Sequence, residues 1–213
     1  MTPPTRSSAR TLAATAALAL LGLASACNIG TPAQDDPTRY YVLADPAPTA
    51  AAAAAPGGVR LGLRTPALEN YLKKRDMVVR SGANEVDFRD YRRWAEPLEG
   101  NIARLLRAHL LAAPAVASAA VEPFPIDQDR DYDVAIEVRH CEGATGADGH
   151  SFASFAATIE ITSAGLNPQV VVRKVFVAPP AAWDGSDYGQ LASLLSADVA
   201  ALAGEILADL PKR

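Results

Sequence analysis

Two runs of the chain set their apolar residues at helical spacing, and most of what lies around them alternates with period two. In PLEGNIARLLRAHLLAA the residues Leu98, Ile102, Leu105, Leu106 and Leu110 form one stripe. In YGQLASLLSADVAALAGEILADL the stripe is Leu191, Leu194, Leu195, Val199, Leu202 and Ile206. Such spacing marks a helix with one buried face. Pro97 suits the first turn of the first helix, and Pro114 ends it. The period-two segments read as strands: a short one at 40–43, VRLGLRT at 59–65, AVASAAVEPF, YDVAIEVRHCE, SFASFAATIEITS and QVVVRKVFVA. DMVVRSG and NEVDFRD read as a hairpin turning at Ser81, Gly82 and Ala83, PALENYLKK as one or two helical turns, and GATGADG as a turn. Two long amphipathic helices need a surface to cover. The simplest solution is an α/β chain of the α+β sandwich type: a single mixed β-sheet with both helices packed on it.

The first 26 residues are of another kind. Arg6 and Arg10 precede the uncharged run TLAATAALALLGL, and Ala24, Ser25 and Ala26 are small. That is the order of a secretory signal. The run falls well short of the roughly 20 apolar residues that span a bilayer. Cys27 follows at once, and the segment resembles a bacterial lipobox, although Ala24 stands where a lipobox usually has Leu. The resemblance implies that Cys27 carries a covalent diacylglycerol and an N-acyl chain and begins the mature protein. Plain secretion with a free thiol and an uncleaved anchor are the alternatives. The organisation expected is a lipoprotein signal peptide at 1–26, a lipid-anchored flexible tether at 27–38, and one folded domain at 39–213, interrupted by an Ala/Pro/Gly loop at 46–58. Asn28, rather than Asp, after the cysteine points to the outer membrane.

Composition removes several classes of function. Losing Arg6 and Arg10 from 20 basic residues against 24 acidic ones takes the formal charge from −4 to −6, which argues against a nucleic-acid partner. Cys141 is the one cysteine left in the domain, so no disulfide forms within it. There is no G-x-S-x-G, P-loop or G-x-G-x-x-G, so no enzyme, no catalytic residue and no further cofactor is expected. Asp127, Asp129, Asp131 and Asp133 alternate, but Tyr132 and Val138 stand where a calcium loop needs Gly and Glu. They read as the solvated start of a strand. His140, Cys141 and His150 flank a turn with no standard zinc spacing, and His109 reads as a structural residue of the first helix. No metal is expected.

One stretch gathers contact chemistry. Arg80, Asn84, Arg92, Arg93, Trp94, Glu96 and Arg104 lie close together in sequence. Trp94 can cover the start of the helix, with Glu96 at its positive end. An aromatic among arginines is also the make-up of an interface hot spot. Arg80, Arg93 and Trp94 are the candidate partner-binding residues.

The same stretch carries a resemblance. Tyr40, Tyr41 and Leu43 stand shortly after the cysteine, followed by Arg80, Asn84 and Val86, and by the block Arg93, Trp94, Ala95, Glu96, Pro97, Leu98, Ile102, Arg104 and Leu106. This pattern resembles the PqiC-like family of ABC-type transport auxiliary lipoproteins over nearly the whole mature chain. The resemblance implies a lipoprotein on the periplasmic face of the outer membrane. Its implied partners are a Mce-domain protein and the inner-membrane ABC/Pqi-type transporter subunits, and its implied cargo is phospholipid or another hydrophobic molecule. The family brings no catalytic residues, and a homo-oligomer is left open. On this reading the domain is a docking adaptor. The rivals are a lipid carrier, with an apolar pocket between helix and sheet, and a structural or assembly lipoprotein of the envelope.

Overall fold

The structure of the protein is a computed structural model that describes residues 35–44, 57–125 and 128–211. The expected signal segment, Cys27, most of the expected tether, nearly all of the Ala/Pro/Gly loop and Asp127 lie outside the described residues. The compact unit that carries every element runs from Thr38 to Arg213. Its strands are β1 (Arg39–Tyr41), β2 (Val59–Leu63), β3 (Ala67–Leu68), β4 (Asp76–Ser81), β5 (Glu85–Trp94), β6 (Val116–Val121), β7 (Tyr132–Thr145), β8 (Ser151–Ser163), β9 (Val170–Val177) and β10 (Ala181–Trp183). Its helices are α1 (Leu98–Ala112) and α2 (Tyr188–Asp209). The strands form one mixed sheet, and the helices cover one of its faces, as the apolar stripes require.

β7 is the axis. Along one side it pairs antiparallel with β8 over its whole length. Along the other it is shared in series by β2, β3 and β4, all parallel to it. The sheet therefore forks. One branch runs β7–β4–β5–β1, and the other runs β7–β2–β6. Beyond β8 lie β9 and then β10, two pieces of one edge separated by Pro179 and Pro180. A proline cannot donate to a ladder, so the pairing breaks there.

Local chemistry explains the boundaries. Asp187 caps α2, its Oδ1 accepting from the N–H groups of Gly189 at 2.8 Å and Gln190 at 3.0 Å. Pro211 follows the end of that helix. PALENYLKK gives β3 and then one helical turn, of the 3₁₀ kind, at Asn70–Lys73. β7 also runs three residues into the expected GATGADG turn, because Gly143, Ala144 and Thr145 find partners on both sides, in β4 and in β8. Gly143 is needed there for space, since a Cβ would lie 2.6 Å from the Trp183 ring.

The core sits between the helices and the sheet. Phe155, Ala157, Ile159 and Ile161 of β8 and Val134, Ile136 and Val138 of β7 face Leu191, Leu195, Val199, Leu202 and Ile206 of α2, all but one of them 1% exposed or less. Each side chain of Leu or Ile size contributes about 1.5–3 kcal/mol on full burial. The stripe of α2 also carries Asp198, which is 8% exposed, with an Oδ2 that has no partner among the described residues. Burial pushes its pKa up to about 6.

Candidate functional site

The structure takes the arginine–tryptophan stretch apart. Trp94 closes β5 in register with Tyr41 of β1. It faces the helices and keeps 3% of its surface. Tyr41 lies beside it against the core, its ring centre 6.2 Å from that of Tyr188. Docking through Trp94 would need surface that packing has already taken. Arg104 is an internal tie as well. Its Nη2 donates to the Leu43 carbonyl at 2.9 Å, Asn101 Oδ1 at 2.6 Å and Glu96 Oε1 at 3.0 Å, which binds α1 to the chain leaving β1.

Arg80 belongs to a buried polar cluster. A register shift between Val138 and His140 changes which β7 side chains face the helices. Beyond it Cys141 points into the core, while His140 and Glu142 stand on the helix-free face of the sheet. The Glu142 side chain is nevertheless fully buried. Arg80 Nε donates to its Oε1 at 2.8 Å, Tyr71 Oη to its Oε2 at 2.9 Å, and the Cys141 N–H to its Oε2 at 3.1 Å, with His140 Nδ1 3.0 Å from Oε1. Burial, with the carboxylate beside it, pushes the Tyr71 phenol above its usual range. Burial also pushes the Cys141 thiol well up, so no reactive thiolate forms there. Among the described residues no group of three or more His, Cys, Asp and Glu is placed to hold a metal. Arg80 braces the sheet, reaching the Ala83 carbonyl of its own hairpin as well.

Arg92 and Arg93 do reach the surface. Between Val78 and Asp76 of β4 the partner strand advances from Phe88 to Arg93, so residues 89–92 arch out of the ladder. Tyr91 sits in the arch at φ +58°, a conformation that costs a non-glycine residue about 1–2 kcal/mol, and is 51% exposed. Arg93 reaches Asp76 at 3.4 Å, and Arg89 reaches Asp87 at 2.7 Å. Arg92 lies in register with Arg39 of β1, and neither is ion-paired with a described residue.

The largest apolar exposure lies on the opposite edge. Val175 is 57% and Val177 67% exposed, with Val170, Val171 and Leu166 bare beside them. Val175 lies opposite Thr158 and Val177 opposite Ala156, on the helix-free face. The cations of this strand are turned back onto their own molecule, Arg173 onto Glu160 and Lys174 onto Glu205 and Asp209 of α2. The Ala178 N–H donates to the Phe155 carbonyl at 3.0 Å, so by strand alternation Val177 and Val175 turn their backbone groups away from β8. A valine face beside unpaired backbone is a template for another chain. Sequence reading registered β9 only as a strand. The missed signal is that VVVRKVFV has apolar residues at both parities, the mark of a strand covered on both faces.

Surface hollows are shallow by comparison. One of about 470 Å³ lies beside β6, between Arg107 and Gln128, and another of about 340 Å³ runs between β1 and the start of α2. Away from these hollows, the buried Leu, Ile, Val and Phe side chains of the core lie between the helices and the sheet.

A family model described as the ABC-type transport auxiliary lipoprotein component matches residues 41–207. No curated protein matches the chain. Solved structures share the fold, two crystal structures among them. One, of an uncharacterised protein, is 17% identical, with a TM-score of 0.62, over 82% of this chain and 99% of that one. The other, protein XCC0632 from Xanthomonas campestris, is 18% identical, with a TM-score of 0.60, over 80% of this chain and 90% of that one.

Proposed function

Because the chain belongs to the family of ABC-type transport auxiliary lipoprotein components, we propose that it is the membrane-tethered docking adaptor of such a transport system. Lipid on Cys27 fixes the domain to the periplasmic face of the outer membrane, and the free edge at β9 receives the partner. The partner is a Mce-domain protein working with separate ABC/Pqi-type transporter subunits in the inner membrane, and the cargo is phospholipid or a related hydrophobic molecule. The domain has no catalytic part in this.

The observation that carries the reading is the valine edge. A monomer that left Val175 and Val177 bare on a free strand would invite aggregation, and within β9 itself no free charge guards the edge, since Arg173 and Lys174 are both neutralised internally. A carrier would need an enclosed apolar cavity between helix and sheet, whereas the hollows beside β6 and β1, of about 470 and 340 Å³, open at the surface. Of the residues first considered for docking, Arg93 keeps a half-exposed side chain but stands on the other edge, while Arg80 and Trp94 support the fold from within.

The test is binding of the mature chain to a purified Mce-domain protein from the same organism, with Val175→Lys and Val177→Lys combined. Affinity should fall by at least about tenfold, an interface hot-spot effect, with thermal stability unchanged. Unaltered affinity would remove the β9 docking site. Native mass spectrometry of residues 28–213 reports subunit count and retained lipid together, and a monomer that keeps one phospholipid would turn the assignment toward a carrier.

A further inference from the structure

The β1–β5 edge has no place in partner docking, yet it is built with care. Arg39 and Arg92 are side-by-side neighbours in the β1–β5 register, about 4.8 Å apart along the ladder direction. Like charges so placed repel, and neither has an ion-pair partner among the described residues. Around them stand Tyr40 at 58%, Tyr91 at 51% and Val42 at 44% exposure. Tyr91 is held out by its left-handed backbone, a conformation that persists only where the surroundings impose it. Arg39 is exposed, while Arg92 is half-buried, with its guanidinium 5.7 Å from the Tyr188 ring centre and its Nη1 donating to the Tyr91 carbonyl at 3.1 Å. Cations without acids of their own beside exposed tyrosines match the headgroup region of a bilayer. There phosphates neutralise arginine, and amphipathic rings settle at the boundary between water and acyl chains.

The place of this edge in the chain agrees with a membrane contact. Only residues 28–38 separate Cys27 from Arg39, a reach of about 38 Å when fully extended. β1 is the first described element after Cys27.

We propose that the β1–β5 edge rests on the phospholipid surface to which the chain is anchored, with Arg39 and Arg92 on lipid phosphates and Tyr40, Tyr91 and Val42 at the headgroup level. The anchor supplies the affinity, and the edge sets the orientation. The β9 edge lies five strand spacings away, about 24 Å at ~4.8 Å each, so a domain standing on β1 and β5 holds its valine edge away from the membrane. This inference rests on the lipoprotein reading of Cys27 and is independent of what binds β9.

The experiment uses the lipidated chain in vesicles of phosphatidylethanolamine and phosphatidylglycerol containing brominated phospholipid. A fluorophore is attached through Ser193→Cys, exposed beside β1, or through Gln169→Cys, exposed beside β9; Cys141 is buried and does not compete. Mass measurement first establishes the acyl chains on Cys27, and a chain without them overturns the anchored reading itself. Quenching at position 193 should exceed that at 169 by at least about threefold, as expected of an interfacially seated edge. The difference should vanish in the combined Arg39→Ser, Tyr40→Ser, Tyr91→Ser and Arg92→Ser variant. Equal quenching at the two positions, or a difference that survives those substitutions, would overturn the proposal.

Discussion

The β9 edge and the β1–β5 edge end the same sheet and differ in which of their charges are already satisfied. At β9 both cations are drawn back onto acids of the molecule, which leaves an outer surface of valine. At β1–β5 Arg39 and Arg92 stand together among tyrosines with no ion pair to a described residue, although Asp87 and Asp90 line the same hollow as Arg92. A count of charged residues would mislead, since β9 carries two cations and no acid while β5 sets Arg89, Arg92 and Arg93 against Glu85, Asp87 and Asp90. Neutralisation, not number, separates a surface that seeks apolar protein from one that seeks anions.

Substitutions can break this contrast or sharpen it. The largest effect belongs to neither surface. Trp94→Ala should cost about 3–5 kcal/mol in urea unfolding, because the ring seals the junction of β5 and α1 under the anionic-seeking edge. A loss below about 1 kcal/mol would mean that this edge is not built on the core. Arg80→Ala should follow at about 1.5–3 kcal/mol, since Glu142 keeps Tyr71 and the Cys141 N–H but loses its nearest cation.

Next comes Asp198→Asn, which reads the core beneath both edges. Its carboxyl titrates near 6 when folded against an ordinary value of 3.8, so the folded state holds the proton more tightly than the unfolded one. The contribution is fully present below about pH 4, declines as pH rises and is lost above about pH 6, a change on the order of 2 kcal/mol. The wild-type stability should therefore fall across that interval, and the Asn variant should lack that fall. A parallel pH dependence of the two melting temperatures would count against a buried, protonated Asp198. The smallest effect should come from Val175→Lys with Val177→Lys, within about 0.5 kcal/mol. A large loss would show these valines to be core rather than edge.

Much of the fold was legible because its strands have one covered face. SFASFAATIEITS alternates cleanly, and the expected bounds are those of β8. Both helices were legible from their stripes. β3 and β10, two and three residues long, fall below the length at which period two can be recognised. The arch at residues 89–92 was hidden because its left-handed residue is Tyr91, where a reader expects glycine. The contact cluster comes apart in space for a different reason. Arg80, Arg93 and Trp94 are near in sequence, but the acid that claims Arg80 is 62 residues away, and alternation sends Trp94 inward.

Pro179 and Pro180 have a further consequence. They divide the far side of the sheet into an eight-residue segment and a three-residue one, and Pro179, next after the inward-facing Ala178, offers no amide to a visitor. A guest strand can zip along β9 for roughly 26 Å, at ~3.3 Å per residue, and then runs out of donors. The break works as a ruler: it admits a hairpin or a single short strand in one register and denies the unbroken rail along which identical chains would stack into fibrils.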